Sequence, residues 1–207
     1  MDSTVVVIDF ETTGLSPDEG ARATEIAAVV LDRGRVVARY QSLMNAGVHV
    51  PRFIEELTGI TNAMVREAPP AKEVMAAFAR FVGDLPLVAH NASFDRKFLD
   101  AELARIRQRR RQEVACSMRV ARRLYPDAPN HKLGTLVDYA GVRVTGRHHR
   151  ALADAEMAAG LWTRMEEDLL RAYRLRQVPH ELMCRLQTVR RDGLADFMEG
   201  YKRRCGP

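Results

Sequence analysis

The sequence predicts an α/β fold: a mixed β-sheet flanked by helices, with a C-terminal helical extension. Three observations predict it. Thr4–Phe10 (TVVVIDF) is a short β-branched apolar run of the kind buried on both faces of a sheet. Glu25–Leu31, the turn Asp32-Arg33-Gly34-Arg35 and Val36–Leu43 read as a hairpin. Beyond the hairpin, helical patterns alternate with a further apolar run, and a sheet covered by helices accounts for that order.

The elements follow in turn. Pro70–Val82 reads as a helix with Val74, Phe78, Phe81 and Val82 on one face and Gly83 as its stop. Leu85–Ala89 reads as a buried strand, and Asn91 or Ser93 caps a helix running to about Arg107. Leu133–Tyr139 and Ala151–Leu170 read as helices; in the second, Ala151, Ala155, Ala158, Trp162, Met165 and Leu169 form a stripe at helical spacing. After Leu170 the character changes, and Pro179 to about Gly200 reads as a separate basic helix. The chain therefore divides into residues 1–170 and an extension, 171–207.

Composition narrows the class of protein. With 207 residues and 46% of them apolar, the chain can bury one sizeable core. No apolar run approaches the roughly 20 residues of a membrane span. The start, Met1-Asp2-Ser3-Thr4, lacks the basic segment of a secretory signal. Cys116, Cys184 and Cys205 are odd in number and scattered, so neither a disulfide frame nor a zinc site is expected, and a cytoplasmic setting is. The net charge of +5 is confined to the extension, where nine Lys/Arg face four Asp/Glu; the other 170 residues hold 23 of each sign. That makes a basic appendage rather than a basic protein.

Four carboxylates stand where the patterns ask for apolar residues. Asp9 and Glu11 end the first strand two residues apart, so they leave the same face. Thr12-Thr13-Gly14 follows, a turn that brings backbone and two hydroxyls close to a ligand. Asp95 and Asp154 lie near helix starts, where a first-turn acid that favours the helix dipole is the plain alternative. Strand ends and helix starts converge on one edge of an α/β sheet. Acids meeting there repel by about 4 kcal/mol per pair at 4 Å and an effective dielectric near 20, so the cluster calls for cations. Oxygen ligands point to a hard metal, Mg²⁺ or Mn²⁺, and two such ions suit phosphodiester hydrolysis. His149, five residues before Asp154, has the near-neutral pKa of a general base, although its neighbour His148 offers the same chemistry.

In order along the chain stand DFETTG (Asp9–Gly14), HNASFD (His90–Asp95) and the pair His149 and Asp154. They resemble the three motifs of the DEDDh, or DnaQ-like, 3′–5′ exonuclease superfamily. Pro51–Val65 (PRFIEELTGITNAMV) is similar to the DNA polymerase III proofreading branch, which comprises the ε subunit and the exonuclease domain of Gram-positive replicative polymerases. The resemblance implies an RNase H-like fold and release of nucleoside 5′-monophosphates from DNA 3′ ends, single-stranded or frayed, in proofreading or repair. RNA 3′-end trimming and a polymerase-binding accessory role are the alternatives. It implies that Asp9, Glu11 and Asp154 hold the first of two Mg²⁺ ions, with Asp9 touching the second. Asp95 acts mainly through water, and His149 is the base. Thr12, Thr13, Gly14 and Leu15 line the terminal nucleotide, with Leu15 as a wedge; His90, Asn91 and Phe94 support the pocket. Where many relatives have Asp-Thr, this chain has Cys116-Ser117, so a different local helix cap is expected.

Three features stand outside the motifs. Arg105–Arg111 carries five arginines and reads as a solvated helix end or a phosphate track. Thr58–Thr61 reads as a capped turn. The apolar residues of the extension either bury against the main domain or dock on a polymerase subunit or a second copy.

Overall fold

The computed structural model describes residues 4–143 and 150–205. Among them, five strands form one mixed sheet in the order β3-β2-β1-β4-β5. These are β1 (Val5–Thr12), β2 (Ala23–Asp32), β3 (Arg35–Leu43), β4 (Leu87–Ala89) and β5 (Val114–Cys116). β1, β2 and β3 pair antiparallel, whereas β4 and β5 run parallel to β1. The turn joining β2 to β3 places Arg33 at φ 48° and Gly34 at φ 73°. Left-handed geometry at both positions matches the twist of the flanking strands.

The helices are α1 (Arg52–Thr58), α2 (Asn62–Glu67), α3 (Ala71–Val82), α4 (Ala92–Arg105), α5 (Ser117–Leu124), α6 (Leu133–Tyr139), α7 (Ala151–Tyr173), α8 (His180–Leu186) and α9 (Leu194–Cys205). None of the described helices is long and apolar enough to cross a membrane. They cover the two faces of the sheet with separate cores. Val5 and Val7 of β1, with Ala27, Val29 and Leu31 of β2, pack on the α7 side. Val6, Ile8 and Phe10 pack on the α3 and α4 side. Strand alternation sorts them, since successive side chains leave opposite faces.

The expected stripe on α7 is buried throughout, and Trp162 lies at its centre with no exposed surface. Close approach is needed beside it: a Cβ on Gly160 would stand 2.7 Å from Val142 Cγ1. α7 runs three residues past its expected end and stops where Arg174 turns left-handed. The mixed sheet and its two helical layers are the RNase H-like arrangement that the motifs imply.

Two expectations change. Asn91 does stand at the N-terminal boundary of α4, but at φ 63° its side chain makes no capping bond; it accepts instead from Ser93 Oγ (3.4 Å). The extension holds two helices rather than one, because the polar segment Thr188–Gly193 turns between α8 and α9. Its apolar side chains settle the packing question: Leu182, Met183, Leu186 and Met198 are buried in the α7-side core. Val178 joins the same cluster from the linker before α8.

Leu186→Ala is therefore expected to lower unfolding stability by about 2–5 kcal/mol, the usual cost of emptying a buried leucine site. Urea denaturation of the two proteins checks this; equal midpoints would mean that the extension contributes no core.

Candidate active site

The alternation that buries β1 also aims its acids. Val5, Val7, Asp9 and Glu11 share the face that meets α7, so the apolar series turns acidic at its last two members. Asp154 projects from the first turn of α7. One carboxylate oxygen from each of Asp9, Glu11 and Asp154 lies within 4.8 Å of the others, and all three residues are half-buried. Asp95 arrives from the opposite layer, in the first turn of α4, and is buried. It accepts from its own amide and from that of Phe10, which seats it behind the strand between Asp9 and Glu11. Asp95 stands outside the three-carboxylate group but within its field.

Crowding and burial change these acids together. Asp9 is pushed well above the usual carboxylate range, first by burial and then by the charges of Asp95, Asp154, Glu11 and Glu25. Burial, with Asp154 and Glu25, raises Glu11 to about 7, against the opposing charge of Arg150. Burial raises Asp95 to about 8, although its two backbone hydrogen bonds pull the other way. Protonation removes the charge that burial and crowding penalise.

Glu25 is a fifth acid on this edge. It sits opposite Glu11 in the β1–β2 ladder and is fully buried. Burial would raise it, but hydrogen bonds from Arg150, Gln41 and the Ala151 amide outweigh that and hold it below its ordinary value. Arg150 Nη2 donates to Oε1 (2.7 Å) and Nε to Oε2 (3.1 Å), and Ala151 N donates to Oε2 (3.1 Å). Glu25 thus anchors the start of α7 and fixes where Asp154 emerges. The sequence carried a signal for it: Glu25, Ala27, Val29 and Leu31 form an apolar series ending in an acid, as Val5 to Glu11 does.

A second unforeseen pair holds the loop after β1. Arg22 Nε and Nη2 donate to the two oxygens of the buried Glu102 on α4 (2.7 and 2.9 Å), and Arg22 Nη1 donates to Ala46 O (3.0 Å). Arg22 N donates to Thr13 Oγ1 (3.0 Å), and Thr12 Oγ1 donates to Gly14 O (2.8 Å), so both threonines are set by the loop itself. Gly14 lies against Ala21, where a Cβ would come within 3.2 Å of its methyl. Leu15 stands 79% exposed beside them.

The second motif splits by role. His90 Nε2 meets His131 O (3.1 Å) and Nδ1 meets Ser117 Oγ (2.9 Å). Burial lowers its pKa to about 4, so the ring is neutral, donates from Nε2 to the carbonyl and accepts from the serine at Nδ1. His90 therefore ties the end of β4 to α5 and the loop before α6. Asn91 is exposed, and the half-buried Phe94 stacks on Phe98 at a centroid distance of 5.0 Å. His149 lies outside the described residues. At Cys116-Ser117, Cys116 makes no side-chain cap, and its amide donates to Gln187 Oε1 of the extension (2.8 Å). The Thr58–Thr61 segment is a capped turn, with Thr61 Oγ1 accepting from Met64 N (3.2 Å).

The model of the RNase T-type exonuclease family matches residues 6–162, which contain every acid of this edge. The chain belongs to that exonuclease family. It is 36% identical over 164 residues to the PolC-type DNA polymerase III of Caldanaerobacter subterraneus subsp. tengcongensis, a match covering 79% of this chain and 12% of that polymerase. This family member is also 33% identical over 170 residues to the DNA polymerase III subunit epsilon of Aquifex aeolicus, covering 82% of this chain and 83% of the subunit. Among solved structures it is similar to Exonuclease X in complex with 5′ overhanging duplex DNA. There the TM-score is 0.70 and the identity 28%, with 88% of this chain and 99% of that one covered.

The raised acids of this exonuclease-family chain give a pH dependence with a definite sign. Glu11 titrates near 4.5 when unfolded and near 7 when folded, so the native state binds more protons between those values. Stability of the metal-free protein must then fall as pH rises from about 5 to 8. Glu11→Gln is expected to flatten that fall. Thermal melts in EDTA at pH 5, 6.5 and 8 test it; a wild-type melting temperature that rises over this range would contradict the burial of these acids.

Proposed function

We propose that this protein is a metal-dependent 3′–5′ exonuclease that removes nucleoside 5′-monophosphates from DNA 3′ ends in proofreading or repair, in a cytoplasmic setting. The observation that carries the reading is the gathering of Asp9, Glu11 and Asp154 within 4.8 Å, on an edge whose acids are pushed toward protonation by burial and by one another. An all-oxygen donor set of this charge fits a hard divalent ion such as Mg²⁺, with Mn²⁺ as a substitute. Asp9, Glu11 and Asp154 would hold the first ion, Asp9 would reach a second, and Asp95 would act through water. When bound, a pair of such ions supplies positive charge to the attacking and departing oxygens of a phosphoryl displacement.

The remaining roles belong to side chains. His149 accepts the proton of the attacking water. Thr12, Thr13, Gly14 and the exposed Leu15 line the terminal nucleotide, with Leu15 against the last base. Asn91 and Phe94 face the same nucleotide, and His90, its ring bonded to Ser117 and His131, keeps that wall in place. The names of the relatives, a polymerase and its epsilon subunit, and the duplex DNA in the Exonuclease X structure favour DNA over RNA. They also favour a polymerase subunit as partner, with residues 171–207 as the contact and residues 1–170 as the nuclease unit.

Purified protein with Mg²⁺ is expected to degrade 3′-labelled single-stranded DNA and mismatched duplex faster than matched duplex, and RNA more slowly. Asp9→Ala should abolish turnover, and His149→Ala should lower it by roughly 10²–10⁴. No hydrolysis with Mg²⁺ or Mn²⁺ would remove the enzyme reading, and RNA degraded well ahead of DNA would reverse the substrate assignment.

A further inference from the structure

The arginine run Arg105–Arg111 is the conspicuous basic feature of the sequence, and the fold puts it at the wrong end. α4 begins beside the acids and its 14 residues carry the chain about 21 Å away before the run starts. Two of its members are also neutralised: Arg105 pairs with Glu102 (3.7 Å) and Arg110 with Asp100 (2.7 Å).

A different set of arginines stands on the correct edge. Arg96 of α4 and Arg119 and Arg122 of α5 frame a cavity of about 230 Å³, together with Asn91, Ser93 and Gln187. Among the described residues, no acid lines it. All three arginines are exposed, and among the described residues none has a carboxylate within ion-pair distance. Their charges act on their surroundings: Arg119 and Arg122 help depress Arg123 after burial does, and Arg122 contributes to the lowering of His90. Concentrated positive charge with no internal counter-ion suits an external anion, and the guanidinium fork suits a phosphate. The extension contributes as well, since Gln187 both lines the cavity and holds the Cys116 amide at the end of β5.

Position puts the cavity beside the acids. The cavity lies where β5 ends and α4 begins, on the same edge as the ends of β1 and β4. β5 is two strands from β1, about 10 Å across the sheet.

We propose that the cavity framed by Arg96, Arg119 and Arg122 is a subsite for a backbone phosphate of the substrate strand upstream of the bond that is cut. This rests on the acid cluster being the site of cleavage. The subsite gives strands long enough to reach it an affinity that a dinucleotide, whose one internucleotide phosphate is the one cut, cannot gain, with no preference for base.

The double variant Arg119→Ala/Arg122→Ala tests it against Arg109→Ala/Arg111→Ala, which removes the same charge at the far end of α4. Cleavage of 3′-labelled oligonucleotides of two to eight residues is measured for KM and kcat. Binding of a labelled single strand is followed by fluorescence anisotropy across NaCl concentrations with Ca²⁺ in place of Mg²⁺. The first pair is expected to raise KM about tenfold for strands of four or more residues, with kcat within about twofold and the dinucleotide KM unmoved. Its salt slope should be shallower by about 0.7 for each phosphate that is no longer neutralised. Arg119→Lys/Arg122→Lys should recover part of the affinity, and the far pair should leave KM and slope as in the wild type. Equal losses in the two alanine pairs, or an equal loss on the dinucleotide, would overturn the subsite. If the wild type cleaves nothing, the catalytic reading falls, and the binding slopes still decide the subsite.

Discussion

Repulsion among buried carboxylates is the constraint around which this structure is arranged. Asp9, Glu11 and Asp154 meet within 4.8 Å, with Asp95 just behind them. Left alone, such groups would separate or take up protons. The sheet prevents separation: Asp9 and Glu11 are paired to β2 in a strand whose earlier residues are also held by β4, and Asp154 and Asp95 stand in the first turns of two packed helices. The protons, or the metal ions that replace them, are then the remaining way to relieve the charge.

Two ion pairs, each with a buried glutamate, supply the rigidity that this requires. Glu25 takes Arg150 and the Ala151 amide, fixing the start of α7 to β2. Glu102 takes both sides of the Arg22 guanidinium, fixing the loop after β1 to α4. Removing the arginine of either pair leaves a buried glutamate uncompensated, which is far more costly than the pair is worth as a contact. Their contribution lies in where they hold neighbouring residues. The two pairs serve the two helices that deliver Asp154 and Asp95.

Much of this was legible in the amino-acid order alone, and the parts that were not have physical reasons. β1, the hairpin, α3 and α6 follow from apolar periodicity and turn residues, because local pattern and tertiary burial agree there. The acids of β1 announced themselves by interrupting a buried run. Glu25 was passed over because it opens the apolar run Glu25–Leu31, where a polar residue is unremarkable until the facing ladder shows Glu11 opposite. The arginines of α5 were hidden for another reason: Arg119 and Arg122 look like an ordinary solvated helix face, and only the parallel pairing of β4 and β5 brings them to the acidic edge. The run at Arg105–Arg111 was conspicuous in one dimension and remote in three. The extension could be read as basic and helical, but whether it packs inward depends on the shape of a surface that no linear pattern contains.

The acids come from both sides of the sheet, and this has a consequence for what activity measures. Asp154 belongs to the core beneath α7, Asp95 to the core beneath α4, and each core is an apolar cluster of its own. The acidic edge proposed as the site of cleavage is therefore a coincidence detector for the docking of two layers. A molecule in which either layer has lifted still has a sheet but has lost one wall of its site. Partial loosening would be recorded as a smaller number of working molecules, each turning over at the full rate.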